Sequence, residues 1–169
     1  MSEFEPAYKD FQQDIERYLI SIGQREKRPD GMIVFRGYDD ALQKMYRMYL
    51  EQSALDPLIK HFRAWNWEYG DNDYLLELTE ALQQAGDWPG LKQLWEQGVL
   101  RCRKKLYNEL RKLEKQAPDL FEPESLEAAK ARLIETIEKM IALAESSGGL
   151  AELENYRDLL RKAERGRKV

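Results

Sequence analysis

Residues 74–100 read YLLELTEALQQAGDWPGLKQLWEQGVL, and the spacing of apolar residues in this stretch decides the fold class. Tyr74, Leu75, Leu78 and Leu82 recur at helical intervals, with Asp73, Glu77, Glu80 and Gln84 on the opposite side, which is the period of an amphipathic helix. Gly86 breaks the pattern. Asp87 is placed to cap a second helix, in which Leu91, Leu94, Trp95 and Val99 take up the same interval. Two helices joined by so short a turn are expected to lie antiparallel.

Working outward, the second helix runs on through Cys102, Leu106, Leu110 and Leu113 until Pro118, and Gly98 is expected to bend it. Pro123 opens another helix, carrying Leu126, Leu133, Ile137, Met140, Ile141 and Ala144 on one face. Gly148-Gly149 turns the chain into a last helix marked by Leu150, Leu153, Tyr156, Leu159 and Leu160, with Arg161 to Lys168 expected as a frayed, solvated end. Upstream, Asp56 as cap and Pro57 at the first helical position start a short helix with Leu58, Ile59, Phe62 and Trp65 inward, and Asp71 or Asn72 caps the helix after it. Tyr38 to about Ser53 forms a helix that buries Ala41, Leu42, Met45, Tyr46 and Tyr49. The first helix is expected to begin near Ser2, in a capping box with Glu5, and to carry the stripe Phe4, Tyr8, Phe11, Ile15, Leu19 and Ile22 as far as Gly23. Gln24 to Gly31 reads as a loop. Met32 to Phe35 is the one strand-like run and, without a second strand to pair with, is expected to be buried loop or helix lead-in.

The sum is an all-α fold of about seven helices in consecutive antiparallel hairpins. One domain is expected over 1–169: N-terminal helices over 1–70 with a loop at 23–37, a hairpin over 71–117 and a second over 118–169. Strong helix formers dominate the composition, and a hydrophobic share of 43% is too high for a disordered chain. The single cysteine, Cys102, allows no intramolecular disulfide, and the start of the chain has no basic segment followed by an apolar run, so a cytoplasmic protein without membrane association is expected.

The stretch 74–100 resembles a tetratricopeptide-type helix pair. The likeness lies in Leu78 and Leu82, the turn Gly86-Asp87-Trp88, and then Leu91, Trp95 and Gly98, where small and aromatic residues let two helices cross closely. Thr79, Leu91 and Arg103 depart from the family pattern. A fainter echo at Gly37 to Leu42 lies fifty residues from its counterpart and not the family's thirty-four, so regular repeats are not implied. What the resemblance implies is a tetratricopeptide-like helical array or bundle that binds a protein or peptide.

Candidate chemistry is sparse. The sole histidine, His61, removes any two-histidine metal site and supplies no evident base for a nucleophile. Cys102 falls on the apolar face of its helix, where a buried thiol is the default. Asp71-Asn72-Asp73 with Glu77 has the start of a calcium loop, but Leu76 stands where the sixth-position glycine is required, and helix capping explains the acids better. No phosphate-binding glycine loop is present, so no cofactor, no metal and no enzymatic activity are expected.

Two features invite a binding role. The aromatic band Phe62, Trp65, Trp67, Tyr69 and Tyr74 reads first as core packing and second as a partner pocket, because Trp65 and Trp67 cannot face the same way on a continuing helix. The net charge of −4 also conceals blocks: residues 71–100 hold six acids and one base, whereas 101–115 hold seven bases and two acids, a net of +5. Within that second block Arg101, Lys104, Lys105, Lys112 and Lys115 fall on one side of the helix, with Arg111 beside them. The leading expectation is a non-enzymatic adaptor binding a protein or peptide through Trp65, Trp67, Tyr69, Asp73, Glu80 and Gln83. The alternatives are a nucleic-acid-associated accessory protein using Arg101, Lys104, Lys105, Arg111, Lys112 and Lys115, or a self-associating bundle forming a homodimer.

Overall fold

The computed structural model describes residues 3–169, and over them the fold is all-α with one small β-ribbon. Seven helices follow in chain order: α1 (Phe11–Ser21), α2 (Tyr38–Glu51), α3 (Leu55–Phe62), α4 (Asp73–Gln84), α5 (88–116), α6 (Pro123–Ser147) and α7 (Leu153–Glu164). Among the described residues no helix is long and apolar enough to cross a membrane. The chain divides into two compact units, 3–61 and 62–169, so the segments 71–117 and 118–169 share one unit.

In the first unit α1 packs on α2, burying Phe11, Ile15 and Leu19 with Ala41, Leu42, Met45, Tyr46 and Tyr49. The inward set expected for α2 is the set observed. The start of α1 is a correction. Ser2 lies outside the described residues, residues 3–10 are not helical, and the cap is Asp10, whose carboxylate accepts from the Gln13 amide at 3.0 Å. A buried carboxylate explains why the chain stays out of the helix until there. Asp14, 1% exposed, accepts from the backbone amides of Ala7 at 3.1 Å and Tyr8 at 3.0 Å, from Arg17 at 2.7 Å and from the Tyr49 hydroxyl. Burial, reinforced by the bond to Asp14, raises the Tyr49 pKa, so the phenol stays protonated and donates. Tyr8 takes a left-handed conformation, φ +57°, to bring its amide to that carboxylate.

Met32 to Phe35 is likewise corrected. Strand β1 (Arg25–Lys27) pairs antiparallel with β2 (Ile33–Phe35), Arg25 opposite Phe35 and Lys27 opposite Ile33. Ile33 is exposed, not buried, and an Arg36–Glu26 ion pair at 2.7 Å spans the ribbon. Its strands lack the alternation of apolar and polar residues that marks a half-buried strand.

In the second unit α6 packs against both α5 and α7, and the core gathers Leu75, Leu78, Leu82, Leu91, Leu94, Trp95, Val99, Leu133, Ile137 and Met140. Asn72 caps α4 by accepting from the Leu75 amide at 3.1 Å, and Asp87 caps α5 by accepting from Gly90 at 2.9 Å. Thr79, a departure from the family pattern, is buried and accepts from the Trp95 indole at 2.9 Å while donating to the Leu75 carbonyl at 2.6 Å. The interruption expected at Gly98 is a π turn: α5 runs Trp88–Leu94 as α-helix, Trp95–Leu100 as π-helix and Arg101–Gln116 as α-helix. A β-carbon at Gly98 would stand 3.0 Å from the Arg63 α-carbon, so the turn is where another backbone comes close.

Asp14→Ala leaves two backbone amides and a phenol without their acceptor, and is expected to destabilise the first unit by about 2–4 kcal/mol. Urea denaturation followed by tyrosine fluorescence measures it; a loss below about 0.5 kcal/mol, the level of a neutral surface change, would show that the carboxylate does not hold the segment.

Candidate functional site: the cationic face of α5

Between α3 and α4 the chain crosses residues 63–72 without regular structure, and a partly buried irregular segment needs partners for its carbonyls. Side chains supply them. The Trp67 indole donates to the Phe62 carbonyl at 2.7 Å, Cys102 to Trp65 at 3.6 Å, Arg103 to Trp67 at 2.8 Å and Arg132 to Glu68 at 3.3 Å. Arg103 is 5% exposed and donates from each of its three guanidinium nitrogens: beyond the Trp67 carbonyl it donates to Thr136 Oγ1 at 2.7 Å and Asp71 Oδ1 at 2.6 Å. Loop, α5 and α6 are thereby joined by one planar donor set.

The same loop decides the fate of the aromatic band. Because α3 stops at Phe62, the helical geometry that would set Trp65 and Trp67 on different sides does not apply, and the two rings stack at 5.8 Å. Trp67 is buried and Trp65 half-buried, in a cluster with Phe62 and Tyr74 at ring distances of 4.8–6.0 Å. Tyr69 points out at 71% exposure, with Arg132 at 6.0 Å from its ring. Asp73, Glu80 and Gln83 are exposed along α4. Of the six residues expected to bind a partner, Trp67 is thus buried and Trp65 half-buried, while Tyr69, Asp73, Glu80 and Gln83 are exposed.

The six cations are one surface. At 100° per residue Arg101, Lys104, Lys105, Arg111, Lys112 and Lys115 span an arc of about 120° on α5, with Asn108 near its middle and Arg103 turned away. They line two grooves. One, of about 570 Å³, lies between α5 and α7 and takes Arg101, Lys104 and Lys105 against Tyr156 and Leu159. The other, of about 520 Å³, takes Lys105, Arg111, Lys112 and Lys115, and the grooves meet at Lys105 and Asn108.

Electrostatics separate the walls. In the first groove Glu96 accepts from the Tyr156 hydroxyl at 2.7 Å and Glu152 pairs with Lys92 at 3.2 Å, so both carboxylates are engaged. Burial, followed by that bond to Glu96, raises the Tyr156 pKa and keeps the phenol a donor. Among the described residues none of the six cations forms an ion pair: Arg101 donates to the Gln97 carbonyl at 2.8 Å, and Arg111 lies 5.8 Å from the Tyr107 ring. Among the described residues no ion pair joins them to the acids of α6.

Two members of the site were outside the sequence expectation. Asn108 is an ordinary polar residue of a polar helix face and carries no signal. Lys168 lines the second groove because the tail is not frayed: Gly166, φ +66°, ends α7 and turns the chain back, with Arg167 N donating to Lys162 O at 2.8 Å. Among the described residues no three His, Cys, Asp or Glu side chains converge on a common metal position. Compared with known proteins, the chain matches no protein family, no curated sequence and no solved structure.

Arg103→Leu keeps an apolar side chain at the position but removes the donors to the Trp67 carbonyl, Thr136 and Asp71, and a cost of about 2–3 kcal/mol is expected. Arg103→Lys should recover less than half of it, because one ammonium cannot span three acceptors in a plane. Equal stability of the leucine variant and the wild type in guanidinium unfolding would remove Arg103 from this role.

Proposed function

We propose that this chain is a non-enzymatic accessory protein that binds nucleic acid through its phosphate backbone, along the cationic face of α5. The observation that carries it is the row of six cations without carboxylate partners, lining two grooves that meet at Lys105 and Asn108. From Arg101 to Lys115 the row extends about 21 Å at the helical rise. A polyanion with regularly spaced charges needs no more than that for affinity.

A peptide is less well served here. Peptide grooves take their affinity from aromatic or aliphatic anchors in pockets, and Tyr107, the aromatic of this row, is buried beneath Arg111. The same want of an exposed ring leaves nothing on the row for bases to stack on, so binding is to the backbone, without sequence preference. A second reading keeps the adaptor on α4, where exposed Leu76 lies among Asp73, Glu80 and Gln83 and suits a basic amphipathic partner segment.

Fluorescence anisotropy of a short labelled duplex across a salt series is the test. Contact with four or five phosphates gives a log–log slope of about −3 to −5. Lys104→Gln and Lys112→Gln should each reduce that slope by about 1 while weakening binding to all sequences alike. A flat salt dependence, or tighter binding of poly-glutamate than of the duplex, would turn the assignment away from nucleic acid.

A further inference from the structure

The cationic face has an unexplained neighbour. Residues 165–169 hold three bases and no acid, and they fold back onto a helix that is itself strongly basic. The return is specific: the Asn108 side chain donates to the Val169 carbonyl at 3.0 Å and accepts from the Val169 amide at 3.1 Å, and the Tyr107 hydroxyl donates to the Arg167 carbonyl at 3.1 Å. Burial raises the Tyr107 pKa, which keeps that hydroxyl a donor. The consequence is that Lys168 joins Lys105, Arg111, Lys112 and Lys115 around one groove of about 520 Å³, with Glu109 as the single carboxylate side chain in its lining. None of these five cations forms an ion pair among the described residues. Gathering like charges is unfavourable in itself, and here backbone hydrogen bonds hold the gathering in place.

The geometry points to an anion clamp: α5 supplies one jaw and segment 165–169, fastened through Asn108, supplies the other, and the occupant is a run of closely spaced phosphate groups. This deepens the nucleic-acid assignment by naming the subsite, and it rests on that assignment only where the phosphates are those of a strand. Successive phosphodiesters and a free polyphosphate share the chemistry. Lys105 and Lys112 stand seven residues apart on α5, about 10.5 Å along the axis, and Lys115 about 4.5 Å further, a reach suited to more than one phosphate. A bound polyanion between the jaws converts the repulsion into attraction, so it also tightens the tail.

The experiment uses the full chain, with sodium tripolyphosphate and a labelled duplex as separate probes. Binding is followed by calorimetry and anisotropy, and hydrogen exchange of the Val169 amide reports the clamp. Tripolyphosphate is expected to slow that exchange in the wild type. Lys168→Gln, an exposed change that leaves the fastening intact, should weaken tripolyphosphate several-fold. Asn108→Ala, which removes both hydrogen bonds to Val169, should weaken it about tenfold. Arg101→Gln/Lys104→Gln, in the neighbouring groove, should weaken the duplex and leave tripolyphosphate unchanged. Tripolyphosphate binding that is absent, or indifferent to both Asn108→Ala and Lys168→Gln, overturns the clamp even if the duplex still binds. Tripolyphosphate bound through the clamp with no duplex binding upholds it as a site for free phosphate compounds and removes the nucleic-acid assignment instead.

Discussion

The second unit depends on the Arg103 guanidinium being inside it. A charged group at 5% exposure is costly unless its hydrogen-bonding capacity is met, and here three acceptors from three parts of the chain meet it: the Trp67 carbonyl, Asp71 and Thr136. The requirement also runs the other way. Residues 63–72 have no helix or ladder to absorb their carbonyls, so without Arg103, Cys102 and Arg132 reaching across, that crossing would carry orphaned backbone groups into the unit. An apolar residue at 103 could fill the volume but could not answer the Trp67 carbonyl.

This constraint sorts the basic run of α5. Seven cations occur between 101 and 115, and a single one turns inward. Once Arg103 is fixed, the 100° step along the helix places Arg101, Lys104, Lys105, Lys112 and Lys115 on the far side, whatever their own preferences. The π turn at Trp95–Leu100 sits immediately before, with Gly98 against the Arg63 backbone, and sets the rotational phase with which the α-helix resumes. The outward strip is thus a by-product of an inward bond.

How far all this was legible follows from what each element depends on. The starts of α4, α5 and α6 answer to local periodicity and caps, so Asn72, Asp87 and Pro123 mark them from sequence alone. The start of α1 answers to Asp14, whose bonds to Ala7, Tyr8 and Tyr49 are set by tertiary structure, and a capping box at Ser2 and Glu5 offered a competing local signal. The ribbon at 25–35 escaped because Arg25, Glu26 and Lys27 are all exposed and show no burial pattern. Trp67 lies in the core, the first reading of the aromatic band, but no Gly or Pro in 63–68 announces that α3 stops at Phe62. Of the site, the six cations could be read from spacing, since they share one helix. Asn108 and Lys168 could not, because they meet only when Gly166 returns the tail to α5.

Asp14 and Arg103 have the same logic with opposite sign. Each is the buried charge of its own unit, each takes hydrogen bonds with backbone groups of a segment that lacks regular structure, and each lies on a helix whose remaining charges face out. Irregular segments cannot be packed by apolar contact alone, because their amides and carbonyls need directional partners, and a charged side chain with several donors or acceptors satisfies them in fewer residues than neutral ones could. The Asn108 fastening of the tail extends that rule to the surface: an amide, offering both a donor and an acceptor, holds a strand of backbone against a helix without adding charge. A lysine there would have satisfied the carbonyl but not the Val169 amide, and an aspartate the reverse. The neutral residue in the middle of a cationic arc is therefore the one that holds the tail against α5 while Lys105, Arg111, Lys112, Lys115 and Lys168 stay out of ion pairs among the described residues.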